Sequence, residues 1–177
     1  MDRRQKKSRQ SIFLAFSSLL KEKNYSSITV NDIIEQANVC RSTFYSHFET
    51  KDFLLKDLCA EVFEHIFSNE ICKFAPFENS LEGKLAHVLT HVQTSEYQIA
   101  GILASVNGEI MLTHLKEYLK RLFEMHLGEF KVSVPQDFFI NHLTGSFAEA
   151  ITWWVKNQME IPPEKIASIY LSLIEKH

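Results

Sequence analysis

The chain has few of the residues that interrupt helices. Its 177 residues include only five glycines and four prolines. Leu, Ile, Phe, Lys and Glu are plentiful, a composition that favours long helices joined by short turns. We therefore predict an all-α protein, large enough to enclose a hydrophobic core.

Cysteines and long apolar runs are also scarce. The three cysteines, Cys40, Cys59 and Cys72, are odd in number and lack CxxC spacing, which argues against a disulfide framework or a zinc knuckle. The basic start, MDRRQKKSRQ, leads into an amphipathic segment and not into an unbroken apolar one. We expect neither a signal peptide nor a membrane anchor, and a cytoplasmic protein with reduced thiols.

The motifs of common enzymes are missing. The sequence contains no P-loop, no GxGxxG, no GxSxG and no pair of carboxylates in an apolar loop, so we predict neither catalysis nor a cofactor. His87 and His91, four apart on a helix, have a spacing that lets two imidazoles face one metal. Conceivable further ligands are His114, His126, Cys72 and Glu82. Because HVLTH lacks the glutamate of an HExxH site, we predict that no metal is bound there.

Charge is unevenly distributed along the chain. Residues 1–51 hold nine Lys or Arg against five Asp or Glu, a net +4, whereas residues 52–177 hold ten against seventeen, a net −7. A basic front and an acidic rear suggest that one end alone approaches a polyanion. On charge alone, a solvated basic helix explains the pattern equally well.

Apolar residues recur at helical spacing through the whole chain, without a repeat or a low-complexity linker. The predicted helices number nine and cover roughly 5–23, 29–38, 41–47, 51–69, 81–94, 98–105, 108–127, 135–158 and 162–176.

The second and third predicted helices form a helix-turn-helix. Thr29 precedes Asp32 by three residues, as in a capping box, and the short turn NVC leads into Arg41 to His47. Phe44 and Phe48 are four apart and pin the third helix inward. Successive residues rotate by about 100°, so the polar residues between them flank or oppose the buried side.

The last two predicted helices have apolar residues on more than one face. One face can bury against the chain's own core, and the other would be an exposed apolar patch in a monomer, so we predict a homodimer with a four-helix interface. The alternative is that both helices are simply central in the fold. The predicted interface residues are Phe147, Ile151, Trp154, Ile166, Ile169, Tyr170 and Leu173.

The ordered pattern TxxDIxxxAxVxxxTFYxHFxxKxxLL, with the basic RRQKKSR before it, resembles the TetR/AcrR family of bacterial transcriptional regulators. The resemblance is clearest over about residues 3–55. It implies a DNA-binding domain over residues 1–50 and a helical regulatory and dimerisation domain over residues 51–177. It also implies phosphate contacts at the positions of Thr29, Thr43, Tyr45, His47 and Lys51.

The residues themselves support DNA recognition. A helix in the major groove needs short or polar side chains that reach base edges, and residues that hold phosphates on either side. Arg41 is the candidate for a bidentate contact with guanine. The candidate base-reading residues are Arg41, Ser42, Tyr45, Ser46 and His47. The candidate backbone contacts from the basic start are Arg3, Arg4, Lys6 and Lys7.

Two positions depart from the family pattern. Asn38 stands in the turn where glycine is usual, and asparagine tolerates the left-handed conformation better than most residues. Cys40 stands where a serine or threonine often caps the recognition helix. The loss of a good cap costs about 1 kcal/mol of stability. The thiol at this position also raises the question of redox sensitivity.

By resemblance, the C-terminal region binds a small molecule in a cavity lined by apolar residues, although the same residues would fill an ordinary core. The candidates are Phe63, Phe67, Leu89, Val92, Leu103, Met111, Leu115, Tyr118, Phe123 and Trp153.

The sequence thus predicts a one-component regulator, a repressor that binds an inverted-repeat operator as a homodimer and is released by a small-molecule ligand. The alternative is a protein-binding adaptor or coactivator that keeps the regulator fold. Loss of DNA affinity would distinguish the adaptor from the regulator.

Overall fold

The architecture is helical throughout the residues that the computed structural model describes, which are 3–64 and 80–174. Within these ranges the chain forms nine α-helices and no strands. The helices are α1 (Arg3–Glu22), α2 (Val30–Ala37), α3 (Arg41–His47), α4 (Lys51–Phe63), α5 (Leu81–Thr94), α6 (Ile99–Leu103), α7 (Gly108–Met125), α8 (Gln136–Lys156) and α9 (Pro163–Ile174).

Side-chain caps begin several of these helices. Thr50 Oγ1 accepts a hydrogen bond of 3.0 Å from the Phe53 amide, and Ser80 Oγ accepts one of 3.1 Å from the Gly83 amide. Each cap satisfies an amide that has no partner inside its own helix. The starts of α4 and α5 are therefore set by local chemistry.

Some predicted boundaries differ from the observed ones. α6 is shorter than expected, because Gln98 takes the left-handed conformation with φ of 54° and delays the helix until Ile99. α7 ends at Met125, and a separate 3₁₀ turn covers Leu127–Glu129. The predicted extension of the fourth helix to Asn69 passes outside the described residues.

The core of the C-terminal region surrounds α5. This helix packs along α9, and α7 packs along α8. α5 is buried on nearly every side, including Leu85 and Leu89, which are fully buried. An apolar helix of this kind belongs at the centre of a bundle.

The two tryptophans of α8 correct two sequence-based assignments. Trp154, predicted at the dimer interface, is fully buried in the subunit, where its Nε1 donates a 2.7 Å hydrogen bond to the carbonyl of Ile161. Trp153, predicted in the ligand cavity, is 52% exposed. Adjacent helical residues point about 100° apart, so the core could take only one of the two indoles.

Other predicted interface residues also lie inside the subunit. Phe147 and Ile151 are fully buried, and Ile166 and Tyr170 are nearly so. They are part of the chain's own core, so little of their side-chain surface is left to contact a partner. Of the predicted interface set, only Ile169 and Leu173 are exposed, Leu173 by 67%.

Candidate nucleic-acid interface

The turn between α2 and α3 depends on Asn38. This residue has φ 51° and ψ 50°, the left-handed conformation, and its amide bonds to the carbonyl of Glu35. The amide of Val39 bonds to the carbonyl of Ile34 at 3.0 Å. These bonds satisfy the last carbonyls of α2 and end it. The expected tolerance of asparagine in this turn is confirmed.

α3 has a buried side and an exposed side. Phe44 and Phe48 are buried, with ring centroids 5.8 Å apart, and Phe48 lies 5.5 Å from the ring of Phe13 on α1. These aromatic contacts fix the rotation of α3 about its axis. We define the α3 face as the exposed residues Arg41, Ser42, Tyr45 and Ser46.

The side chains of the α3 face are held by near neighbours. Arg41 Nη1 lies 3.3 Å from Asn31 Oδ1 on α2, and its guanidinium lies 5.8 Å from the centroid of the Tyr45 ring. Ser46 Oγ donates to the carbonyl of Thr43 at 2.7 Å. The exposed guanidinium and phenol together form a surface with one positive charge and several hydrogen-bonding groups.

Cys40 occupies the N-cap of α3 without a capping hydrogen bond from its side chain. Its sulfur lies 3.2 Å from Ser42 Oγ and 3.0 Å from Thr43 Oγ1. Hydrogen bonds from these hydroxyls stabilise the thiolate and lower the pKa of Cys40 to about 7. The capping bond of a serine or threonine is therefore missing at this position, and the thiol is exposed.

His47 links the end of α3 to α1. Its Nε2 lies 2.8 Å from Ser8 Oγ, and that hydroxyl also donates to the carbonyl of Gln5 at 3.0 Å. Burial, followed by the nearby positive charge of Arg9, lowers the pKa of His47. The imidazole is thus partly buried and favours the neutral form near pH 7.

Thr29 caps α2 by the predicted capping box. Its Oγ1 accepts from the amide of Asp32 at 3.1 Å, and its own hydroxyl and amide both reach Asp32 Oδ2 at 2.7 Å. The hydroxyl proton of Thr29 is therefore already used inside the protein. A phosphate contact by this side chain would have to compete with the carboxylate.

Lys51 has partners that the sequence did not indicate. Its Nζ donates to the carbonyls of Tyr25 at 2.6 Å and Ile28 at 2.7 Å, and it lies 4.1 Å from the centroid of the Tyr25 ring. Two of its three ammonium protons are engaged in this way. The phenol of Tyr25 also donates to Asp52. Lys51 therefore holds the start of α4 against the segment that precedes α2.

The basic start of the chain forms the first turns of α1. Arg3, Arg4, Lys6 and Lys7 are exposed. Arg9, two residues further on, is instead paired with two carboxylates of α4, Asp57 at 2.9 Å and Glu61 at 2.6 Å. Four cations remain exposed beside the helix-turn-helix.

Comparison with known proteins shows which family has this sequence and fold. The model described as bacterial regulatory proteins, tetR family, matches residues 12–58, and a model described as transcriptional regulator C-terminal region matches residues 79–176. A solved TetR transcriptional regulator from Streptococcus agalactiae 2603V is 37% identical, with 98% of this chain and 97% of that chain covered and a TM-score of 0.75.

The chain belongs to the TetR family of bacterial transcriptional regulators. A putative TetR-family regulator from Syntrophomonas wolfei shares the fold, with 24% identity, 95% and 93% coverage and a TM-score of 0.64. The regulator YxbF of Bacillus subtilis is 24% identical over 182 residues, which cover 99% of this chain and 46% of that protein. The chain thus spans about half the length of this curated relative.

Most of the residues predicted to line a ligand cavity lie in the core of the subunit. Phe63, Leu89, Val92, Met111, Leu115 and Phe123 are fully buried, Leu103 is nearly so and Tyr118 is partly buried. Phe67 lies outside the described residues. In the described state these buried side chains pack in one continuous core.

His87 and His91 lie on α5 with their Nε2 atoms 3.0 Å apart. Within residues 3–64 and 80–174, no group of three or more His, Cys, Asp or Glu is arranged to hold a metal ion. In the same ranges, no helix combines the length and apolar character required to span a bilayer.

Three side chains of the interface were missed by sequence reasoning. Ser8 contacts His47, Asn31 contacts Arg41, and Tyr25 contacts Lys51 and Asp52. Asn31 lies ten positions from Arg41, and the short turn of the helix-turn-helix was a signal that these helices meet. Ser8 and Tyr25 pair over longer separations, for which one sequence carries no signal.

Proposed function

We propose that the chain is a homodimeric repressor, which binds an inverted-repeat operator and is released when a small molecule binds its C-terminal domain. The proposal divides the chain into a DNA-binding domain, residues 1–50, and a regulatory domain, residues 51–177. The observation that carries it is the α3 face, a polar and cationic surface on a helix that two buried phenylalanines fix to the protein. Repression is preferred because occlusion of a promoter needs no contact with polymerase.

The reading of bases is assigned to the α3 face together with His47. Arg41 is the reader of guanine, because its guanidinium is exposed and a bidentate pair distinguishes guanine from other bases. The short hydroxyls of Ser42 and Ser46 suit close approach to base edges. To reach a base edge with Nε2, His47 must give up its contact with Ser8 Oγ, 2.8 Å away.

Phosphate contacts are assigned to both sides of the α3 face. The exposed cations of α1 supply most of the charge, and the polar residues near α3 set the register of the protein on the duplex. Lys51 contributes through its third ammonium proton. The assigned backbone contacts are Arg3, Arg4, Lys6, Lys7, Thr29, Thr43, Tyr45, His47 and Lys51.

Homodimerisation is assigned to a groove between α8 and α9. We call this the α8–α9 groove; it has a volume of about 500 Å³ and is lined by Phe139, His142, Ser146, Glu149, Ala150, Trp153, Tyr170, Leu173 and Ile174. Exposed Trp153, Ile169 and Leu173, with Phe138 nearby at 64% exposure, supply the apolar surface. A second copy would cover this surface in a two-fold arrangement of four helices. The two recognition helices of such a dimer lie about 34–36 Å apart on DNA, or at another spacing matched to the helical turn.

Release by a ligand is assigned to the core around α5 and α7. A ligand there must separate side chains that are packed together in the described state, so it favours a different arrangement of the helices. The affinity for DNA falls by the ratio of the ligand's affinities for the two arrangements. Release therefore requires a ligand that discriminates between them.

Selection of random duplex DNA by the purified protein tests the proposal. The selected duplex is then titrated by fluorescence anisotropy at two salt concentrations, with a scrambled duplex as the control. We expect an inverted repeat whose affinity falls steeply with salt, by about one logarithmic unit of slope for each phosphate neutralised. If a folded dimer enriches no sequence, the regulator proposal fails and the adaptor reading replaces it.

A further inference from the structure

The turn between α6 and α7 contains an asparagine whose side chain bonds to the end of α1. Asn107 is 3% exposed and lies at the N-cap of α7, yet its side chain makes no capping bond there. Its Nδ2 instead donates to the carbonyls of Leu20 at 2.6 Å and Lys23 at 2.7 Å. Its Oδ1 accepts from the amide of Tyr25 at 2.8 Å.

These three bonds match the chemistry of an amide. The last carbonyls of α1 have no partner within that helix, and Asn107 supplies two donors to this end of the helix. The adjacent amide of Tyr25 needs an acceptor, which the same side chain provides. An aspartate would present two acceptors to two carbonyls, and an alanine would leave all three groups without this partner.

The turn around Asn107 is tightly packed. A Cβ on Gly108 would lie 2.4 Å from the carbonyl oxygen of Leu103, so no larger residue fits without moving the backbone. Ser105 Oγ accepts from the amide of Asn107 at 3.1 Å. Its one proton lies between two carbonyls, Ile102 at 2.7 Å and Leu20 at 3.1 Å. A shift of α7 at this end is therefore transmitted to the end of α1.

The contact continues into the helix-turn-helix. Tyr25, whose amide bonds to Asn107, uses its carbonyl to accept from Lys51 at 2.6 Å. The short segment before α2 is thus held by the first turn of α4 on one side and by the α6–α7 turn on the other. α4 connects the DNA-binding domain to the rest of the chain covalently, and α1 also contacts the C-terminal domain through the rings of Phe13 and Tyr97, 5.6 Å apart. Asn107 adds a buried attachment at the end of α1, through hydrogen bonds.

We propose that Asn107 is a positioning residue that fixes the angle of the DNA-binding domain on the C-terminal domain and thereby determines which half-site spacing the dimer reads. This inference rests on the proposed function, because it requires a dimer whose two DNA-binding domains bind one operator. The middle of α1 stays fixed through Phe13, whose ring lies 5.6 Å from that of Tyr97. Without the three buried bonds of Asn107, the end of α1 and the segment before α2 can shift relative to the C-terminal domain. Loss of Asn107 therefore broadens the range of spacings without changing the bases that α3 reads.

The test uses the duplex selected by the wild-type protein, remade with one or two base pairs added or removed between the half-sites, and an isolated half-site. Asn107→Ala and Asn107→Asp are compared with Val106→Ala, because Val106 is the adjacent residue of the same turn and is 74% exposed. For the wild type and for Val106→Ala we expect a sharp optimum of spacing. For the Asn107 variants we expect the preference for that optimum to fall about tenfold, an effect within the usual range of coupling between two sites of a protein.

Affinity for the isolated half-site distinguishes positioning from general damage. Positioning predicts unchanged half-site affinity in the Asn107 variants, with the loss confined to the spacing preference. Equal losses on the half-site and on every spacing would overturn the inference, as would a spacing preference identical to that of the wild type. If the Asn107 variants do not fold, Ser105→Ala replaces them; it removes the hydroxyl that accepts from the Asn107 amide and lies against the carbonyl of Leu20, and it leaves the Asn107 side chain in place. A wild-type protein that binds the half-site but shows no optimum of spacing overturns the inference alone, whereas one that binds no duplex overturns the proposed function as well.

Discussion

The α3 face and the α8–α9 groove are both exposed, but they differ in how the sequence produces them. On the α3 face, the recorded partners of Arg41, Ser42 and Ser46 lie within ten residues along the chain. The α8–α9 groove joins residues from two helices, and Tyr170 in it bonds to the carbonyl of Leu143, 27 positions away. Local turns and caps can determine which polar side chains are exposed on a surface such as the α3 face. Which apolar side chains are exposed depends instead on which side of each helix packs into the core.

The two adjacent tryptophans give the strongest test of this difference. Trp154→Ala removes a fully buried indole and its bond to Ile161 O, so we expect a loss of about 3–5 kcal/mol in the free energy of unfolding. Trp153→Ala removes an indole that is 52% exposed. We expect it to weaken self-association by about 2 kcal/mol, roughly 30-fold, with little change in the fold.

Urea unfolding at a fixed protein concentration and sedimentation equilibrium measure the two effects separately. Helix content by circular dichroism serves as the control for both variants. Equal effects of the two substitutions on folding would contradict the assignment of one indole to the core and the other to the surface.

Lys51 sharpens the comparison, because it lies beside the DNA-binding helices but has long-range partners. Lys51→Ala removes two charged hydrogen bonds to backbone carbonyls and should cost about 3 kcal/mol of unfolding free energy. Lys56, an exposed lysine of the same helix, is the matched control, and its change to alanine should cost less than about 0.5 kcal/mol. Chemical denaturation of the three proteins gives the answer, and similar stabilities for both variants would show that the two bonds contribute little.

Arg41 tests the local surface itself. Arg41→Ala should reduce discrimination at one base position by about 1–3 kcal/mol. Lys6→Ala, which changes an exposed cation of α1, should weaken all duplexes alike and make the salt dependence shallower by about one. Competition titrations with every single-base variant of the operator separate the two patterns. A loss of base preference in Lys6→Ala, with none in Arg41→Ala, would reverse the assignment of readers and anchors.

The features that could be predicted from the sequence are those determined by interactions between residues close together in the chain. The capping box of Thr29 and Asp32, the left-handed Asn38 and the inward Phe44 all depend on spacings of three or four residues or on a single backbone conformation. The long-range contacts were not predictable in the same way. Asparagine is a common N-cap residue, so Asn107 would be expected to cap α7. Nothing in the sequence near it indicates that its side-chain amide bonds to the end of another helix.

The same limit explains the errors in α8. Both tryptophans stand in a segment with apolar residues on almost every side, so periodicity could not tell which face would be inside. The choice is made by the packing of α7 and α9, which is a property of the whole fold. The presence and approximate position of α8 could be predicted from the sequence, but the roles of adjacent residues on a helix that is apolar on almost every side could not.

The smallest expected effect concerns the capping box and its dependence on pH. Hydrogen bonds from the Thr29 hydroxyl and amide, followed by Lys23, lower the pKa of Asp32 to about 2. Because this pKa in the folded state lies below the ordinary aspartate pKa of 3.8, the carboxylate contributes its full stability above about pH 4 and loses it as the pH falls towards 2. Asp32→Asn removes the titrating group and leaves a side chain of similar size. The difference in unfolding free energy between the wild type and this variant should therefore shrink from pH 4 to pH 2. A difference that stays constant over this range would show that the charge of Asp32 does not stabilise the start of α2.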